Sequence, residues 1–391
     1  MTMVTDSRSD LSIQALVFAL VTATFTSVYV TQPVLPIIET EFAVSAAAAS
    51  TTISAVIAGI AVASLPSGWF ADRVPIHRII AWGGGMLVAC CLAVAITSRF
   101  DLLVAVRFVQ GLFVPALTSC IAAHLARSLD PLRLNVAMGA YVSASVAGGL
   151  GGRLLGGWIH PPLHWRYAFV STSVIIAAAT LAALRWLPRG GPVAQASSAD
   201  RGYVQLLREP RLVAFFLTGA GAFCSFSSVF SFFPFYLAAP PVSASTPVIT
   251  SMYLTYVVGI FIGPFAGRMC NRYGSGGTMA VAAVVFAVAL LTTLTASLPI
   301  LVASLIGVCA GFFAMHAAAV GGLNLVATAS RGRANALYML FYYLGGAAGI
   351  GVAGILFNRH GWLGVVSFNV LVLLVPFATG IASLRWDRAR A

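Results

Sequence analysis

The sequence has no lysine: all 22 of its basic residues are arginine. A phosphate-binding loop of the G-x-x-x-x-G-K-[ST] type therefore cannot be built, which excludes the usual ATP-driven pump. Acids are sparse too. There are ten, namely Asp6, Asp10, Glu39, Glu41, Asp72, Asp101, Asp130, Asp200, Glu209 and Asp387. None lies in the middle of an apolar run, whereas an exporter of cations usually needs an intramembrane carboxylate for its substrate or a proton. The six cysteines, Cys90, Cys91, Cys120, Cys224, Cys270 and Cys309, lack metal-ligand spacing and read as small buried hydrophobes. No Ser-His-Asp or metal constellation stands out, so neither an enzyme nor a metal or other cofactor is expected. The aromatic–basic interleaving of a nucleic-acid binder is missing as well, so the net charge of +12 needs another explanation.

What is present is apolar. Hydrophobic residues make up 60% of the chain and charged ones 8%, against roughly a quarter charged in soluble domains. Mean hydropathy is +0.95. Twelve apolar runs fall at residues 12–35, 46–67, 79–98, 101–125, 134–159, 165–187, 212–237, 247–268, 278–297, 299–326, 334–357 and 361–384. Each is about the length needed to cross a bilayer as a helix. They predict an all-α membrane protein of twelve spans, numbered here in chain order, with no room for a sizeable soluble domain. The first run is too long for a signal-peptide core and reads as a retained span behind the short polar stretch Met1–Asp10.

The arginines give the orientation. Seventeen fall in connectors on one side, only Arg99, Arg166 and Arg359 on the other, and Arg107 and Arg153 within spans. The positive-inside rule assigns the arginine-rich side and both termini to the cytoplasm. The one long connector, 188–210, is rich in Pro, Gly, Ser and charge and reads as a cytoplasmic linker between halves at 1–187 and 211–391. The halves repeat. Asp72 corresponds to Asn271, Gly111 to Gly311, Gly152 to Gly349 and Trp165 to Trp362, at offsets of 197 to 200 residues. Parallel repeats of six spans are the build of one transporter class.

Three motifs stand out against this background. The first is Gly68–Arg78, reading G-W-F-A-D-R-V-P-I-H-R, a charged island between spans 2 and 3. Its second copy, between spans 8 and 9, is Gly267-R-M-C-Asn271-Arg272-Y-Gly274. The second is Arg107-F-V-Gln110-Gly111 in span 4, and the third is Gly148-G-L-G-Gly152-Arg153-L-L-Gly156-Gly157 in span 5. Together they resemble the major facilitator superfamily over essentially the whole chain. The first is similar to Gly-x-x-x-Asp-Arg-x-Gly-Arg-Arg/Lys, with Pro75 where the family has Gly. The third is similar to the Gly-x-x-x-Gly-Pro-x-x-Gly-Gly of the drug–proton antiporter branch, with Arg153 where Pro is usual. The span 1 end, Tyr29-V-T-Gln32-Pro33-V-L-Pro36, also resembles the twelve-span exporters of bacterial inner membranes of the arabinose-efflux type.

The resemblance implies roles for these residues. Gly68, Asp72, Arg73 and Arg78, with Asn271 and Arg272 in the second copy, are expected to form cytoplasmic gates. Asp72 would accept hydrogen bonds from the N-terminal end of span 11, a contact of about 0.3–1 kcal/mol that biases a two-state equilibrium without locking it. Asn271 carries no charge, so the two gates are expected to be unequal. Arg107 and Gln110 match the motif linked to proton coupling, and an arginine inside a span is a functional hypothesis by default. Gly148, Gly152, Gly156 and Gly157 are expected to pack span 5 closely on a partner across the halves. Arg153 either snorkels outward or pairs with a loop acid, or it joins the pathway.

Other candidates rest on position alone. Glu39 or Glu41 either titrates against Arg107 or is an exposed loop acid. His316, near the middle of span 10, is either a proton carrier or a packing histidine. Gln32, Tyr141, Phe226, Phe230, Tyr253, Tyr256, Asn324, Tyr338 and Tyr342 are polar or aromatic residues on spans that line the family's cavity. Aromatic faces suit amphipathic organic molecules, and a cavity with arginine and no carboxylate admits neutral or anionic solutes. The expectation is a monomeric, proton-coupled exporter of a small organic solute in the bacterial inner membrane. Uptake by proton symport is the second transport reading, and a non-transporting sensor or scaffold is the alternative of another class.

Overall fold

Proline and glycine decide where the apolar helices break. The computed structural model describes residues 3–128, 131–187, 202–328 and 330–388. Helix α1 (Met3–Tyr29) stops just before Pro33, which has no N–H to return to the carbonyl of Tyr29. A single tight turn at Gln32–Val34 then leads into α2 (Leu35–Phe42), so span 1 is a broken helix. Ala43, at φ 50°, closes it. Ser45 accepts from the Ala48 N–H and starts α3 (Ala46–Arg73), which is span 2. Span 3 is α4 (Ile76–Ile96). Pro115 ends α5 (Phe100–Leu117) early, and α6 (Ser119–Ser128) completes span 4. Spans 5 and 6 are α7 (Pro131–Ile159) and α8 (Arg166–Trp186). The linker expected at 188–210 lies partly outside the described residues, and its end forms the short α9 (Tyr203–Leu207).

The second half repeats the pattern with fewer interruptions. Span 7 is α10 (Pro210–Ala238). The short α11 (Thr246–Met252), a tight turn at Tyr253–Val257 and α12 (Val258–Thr292) together hold spans 8 and 9. Span 10 is α13 (Leu298–Val326), and α14 (Arg331–Arg388) holds spans 11 and 12. The folds back within α12 and α14 occur at Gly274 (φ 74°, ψ 163°) and Gly361 (φ 59°, ψ −150°). The architecture is thus the predicted one: twelve helical spans in two six-helix repeats, with no strand among the described residues.

The two copies of the gate motif turn by different means. Between spans 2 and 3 the chain uses extended Val74 (φ −108°, ψ 133°) and Pro75 (φ −55°, ψ 134°). Between spans 8 and 9 it uses Gly274, in a region of backbone space that is essentially glycine-only. Replacing the family's glycine by Pro75 therefore keeps a turn but changes its geometry. Gly274→Ala is expected to cost about 1–3 kcal/mol, read as a lower melting temperature in detergent. An unchanged melting temperature would mean that the turn relaxes without strain.

Glycines set the closest helix contacts. A Cβ at Gly148, Gly152 or Gly156 would stand 2.4, 2.3 or 1.9 Å from the carbonyl oxygens of Thr22, Thr26 and Val30 on span 1. Span 11 meets span 7 in the same way, through Gly345 on Ala220 and Gly349 on Cys224, at 2.3 and 2.5 Å. Threonine and serine hydroxyls bind the crossings, with Thr26 Oγ1 donating to the Gly148 carbonyl and Ser227 Oγ to the Gly346 carbonyl. The span 5 glycines thus pack within their own half, and the expected partner across the halves is corrected to span 1. A stripe of small residues fixes which face packs closely but not which helix meets it. Gly157 alone of the four faces the other half, against Thr250.

The halves meet at the arginine-poor side. There Gly354 of span 11 lies on Ala47 of span 2, and Gly157 on Thr250. On the arginine-rich side Gly68, Gly267 and Gly332 have nothing within 4 Å of where a Cβ would stand. Trp69 and Phe70, in the last turns of span 2, are half-exposed. The structure is therefore closed at one end of the bundle and unclamped at the other.

Candidate functional site

The break in span 1 is where the site begins. The last carbonyls of α1 have no partners within the helix, and they form the negative end of its dipole. Arg107, fully buried on α5, supplies the donors. Its Nη1 donates to the Ser27 carbonyl at 2.8 Å and to Gln110 Oε1 at 2.7 Å. Nη2 donates to the Val28 carbonyl, and Nε to the Thr52 carbonyl of span 2 at 2.9 Å. Gln110 Nε2 reaches the Ser27 carbonyl and Cys91 Sγ. A buried arginine costs at least about 2.5–3.5 kcal/mol to insert. Hydrogen bonds from a charged group, at about 1.5–3 kcal/mol each, offset that. The motif spacing of Arg107 and Gln110 puts both side chains on one face, aimed at the same carbonyl.

Immediately past the break, span 1 presents Tyr29 and Gln32 to a second buried arginine. Arg153 of α7 is 1% exposed. Its Nε donates to Gln32 Oε1 at 2.7 Å and its Nη1 to the Gly149 carbonyl at 2.6 Å. Gln32 Nε2 continues to Ser231 Oγ of span 7 at 3.2 Å, crossing between the halves. Four rings surround the guanidinium carbon: Tyr29 at 4.1 Å, Tyr256 at 4.7 Å, Tyr253 at 5.5 Å and Phe230 at 5.8 Å. Each such contact is worth about 0.5–2 kcal/mol when desolvated. Behind the cage Phe226 stacks on Phe312 with centroids 3.8 Å apart, and Tyr256 meets Phe313 edge-on. Arg153 thus turns inward rather than out to the interface.

The acids lie elsewhere. Glu41 pairs with Arg166 and accepts from Trp165 Nε1, with His164 at 3.5 Å. Arg166 also donates to the Thr97 carbonyl at 2.9 Å, so Glu41 ties the ends of spans 1, 3 and 6. Glu39 accepts from the Ala46 backbone at the start of span 2. Asp101 pairs with Arg99 at 2.6 Å, and that partner holds the Arg99 guanidinium above its usual range. Among the described residues neither Arg107 nor Arg153 has a carboxylate partner. The expected pairing of Glu39 or Glu41 with Arg107 is thus absent, because backbone carbonyls already occupy the guanidinium. Glu41→Gln should cost about 1 kcal/mol and leave transport-linked proton flux intact in liposomes. Loss of flux at an unchanged melting temperature would return Glu41 to the coupling machinery.

His316 is stacked on Phe312, and its Nδ1 lies 2.9 Å from Tyr338 Oη. Tyr342 stacks on Phe223 at 3.9 Å and lies 5.1 Å from the His316 ring. This second aromatic group is continuous with the Arg153 cage through Phe312. Asn324 is not part of it: it accepts from Asn335 at 2.7 Å, and Arg331 Nε donates to its carbonyl, which ties spans 10 and 11 near the arginine-rich side. Tyr141 is half-buried on span 5, with Thr118 of span 4 as its hydrogen-bond partner. Of the gate residues, Gly68, Arg73, Arg78, Asn271 and Arg272 are exposed, and Arg73 covers the Trp69 ring at 4.5 Å. The Asp72 side chain lies outside the described residues. No cluster that could hold a metal is found among those described.

The family model for the Major Facilitator Superfamily matches residues 17–328. The chain belongs to that superfamily. Among its relatives is an uncharacterised MFS-type transporter of Bacillus subtilis, YybF, 28% identical over 90% of this chain and 88% of the relative. Another is the inner membrane transport protein YnfM of Escherichia coli, 27% identical over 92% and 87%. Solved superfamily structures share the fold. A bacterial homologue of the human lysosomal transporter Spinster, inward-facing and unoccupied, superposes with a TM-score of 0.74 at 16% identity, covering 97% of both chains. A mutant of the nucleoside transporter NupG does so with a TM-score of 0.78 at 15% identity, covering 96% of this chain and 99% of its own. The chain is thus a multi-pass membrane transporter of the superfamily.

Several residues around Arg153 and His316 carry little or no signal in the sequence. Tyr29 stands three residues before Gln32 in the span 1 motif and has no signal of its own. Phe223 shares one helix face with Phe226 and Phe230, at i, i+3 and i+7, which is a usable signal in retrospect. Ser231 and Phe312 offer none, since each is one of many such residues in a span.

Proposed function

We propose that the protein exports a small organic solute across the bacterial inner membrane in exchange for protons, by alternating access. The observation that carries this is the Arg153–Gln32–Ser231 bridge between halves that are packed at one end only. The arginine-rich side faces the cytoplasm with both termini, so this is the inward-open form. Residues 188–210 link the halves 1–187 and 211–391, and one chain suffices. Arg107 and Gln110 hold the break in span 1 and so position Tyr29 and Gln32 beneath the caged Arg153. In the outward-open form Asp72, with Arg73 and Arg78, engages the start of span 11, and Asn271 with Arg272 forms the weaker second latch. His316, hydrogen-bonded to Tyr338 beside the cage, is the group that carries the proton.

The test is solute-driven proton flux in proteoliposomes, screened over a solute panel. Proton release from the lumen on imposing an inward solute gradient supports exchange. Co-directional flux of proton and solute would instead make the protein an uptake symporter. His316→Gln should abolish the coupled flux while solute binding persists.

A further inference from the structure

The two buried arginines of this protein are satisfied in different ways. Arg107 spends its Nε and both Nη groups on three carbonyls and Gln110, and it sits against the negative end of a helix. Four of its five N–H donors are thus taken by the protein itself. Arg153 donates to one amide and one carbonyl, the Tyr256 hydroxyl is a further hydrogen-bond partner, and the rest of its environment is ring faces, none of which supplies a negative charge. Ring faces attract a cation but carry no net charge. Among the described residues no acid pairs with it. Between the two halves Arg153, 1% exposed, therefore carries a positive charge that no carboxylate compensates among the described residues.

We infer that Arg153 anchors the carboxylate of a small organic anion whose flat apolar body lies against the neighbouring rings. This rests on the transport reading above and adds the substrate class to it. A guanidinium offers a planar fork that matches a carboxylate. The body has matching surfaces in the Phe226–Phe312 stack and in Phe313 and Tyr256. The same geometry rejects organic cations. An aromatic cage would ordinarily take an ammonium, but Arg153 already fills this one and repels a second positive charge. The cage draws Tyr29 from one half and Phe230, Tyr253 and Tyr256 from the other. An anion bound at Arg153 is therefore held where the halves must part.

The test uses purified full-length protein in detergent and a panel of benzoate, phenylacetate and 1-naphthoate, each with its amide and its amine. Binding is read as a shift in melting temperature over a concentration series. At least one carboxylate is expected to bind, with its amide about tenfold weaker, the loss of one charge-assisted contact, and its amine not at all. Arg153→Gln should abolish the carboxylate preference. Arg153→Lys, which keeps the charge but not the fork, should keep the preference with affinity reduced about tenfold. No carboxylate response, an amine preferred, or carboxylate binding unchanged in Arg153→Gln would each overturn the assignment. Failure here is separable from failure of the transport reading. Proton flux driven by an amide or amine would remove the anion site and leave exchange standing. Arg153-dependent carboxylate binding without flux from any solute would do the reverse.

Discussion

Arg107→Ala is expected to cost the fold at least about 3 kcal/mol, because it strips charged donors from three buried carbonyls at once. Ser27 and Val28 lie in the last turn of α1, where no backbone N–H follows to replace the guanidinium. Gln110 loses its partner as well. Span 1 would lose the fixed end that places Tyr29 and Gln32 next to Arg153. Arg107→Lys should recover only part of the loss, since one ammonium cannot reproduce contacts from Nε and both Nη groups. The measurement is the melting temperature and yield of folded protein in detergent, taken before any transport assay. If Arg107 served proton coupling alone, the alanine variant would melt like the parent and lose only flux. A coupling defect claimed for this position thus needs the stability control.

Gly156→Leu is expected to have an effect of similar size, by steric means. A Cβ there would stand 1.9 Å from the Val30 carbonyl oxygen, closer than any real contact. The leucine would force spans 1 and 5 apart, at a cost of about 3 kcal/mol or more. The same displacement separates Arg153 from Gln32, which sit one turn and two residues away along the same crossing. Gly351→Leu is the matched control, because nothing lies within 4 Å of a Cβ built there. It should change stability by no more than about 0.5 kcal/mol. Equal losses in both variants would mean that the small-residue stripe does not set the span 1–span 5 distance.

Much of the fold was legible because length, hydropathy and arginine placement are properties of the chain itself. Twelve runs gave twelve spans, and the repeat offsets gave the correspondence of Gly152 with Gly349, which pack on Thr26 and Cys224 in their own halves. Partner identity was less legible. The glycines of span 5 revealed a close-packed face, but only the tertiary structure shows span 1 opposite it. Glu41 is likewise a simple end-of-span acid in the sequence, and its partner Arg166 stands 125 residues away. The cage was legible in part. Gln32, Phe230, Tyr253 and Tyr256 were expected in the cavity and do meet at Arg153. Arg153 itself was ambiguous, because depth in a span does not say whether a long side chain turns inward or out to the interface. Tyr29 became recognisable only once the break in span 1 was located.

If solute crosses by alternating access, the halves must separate at the arginine-poor side. A cysteine pair at Ala47 and Gly354 tests it, because a Cβ on Gly354 would stand 2.9 Å from the Ala47 Cβ, near the span a disulfide bridges after a small adjustment. The native cysteines interfere little: all are buried except Cys270, which can be replaced by serine. Oxidation of Ala47→Cys/Gly354→Cys should reduce solute-driven proton flux in liposomes about tenfold or more, and reduction should restore it. Flux through the cross-linked protein at the rate of the reduced form would contradict the account.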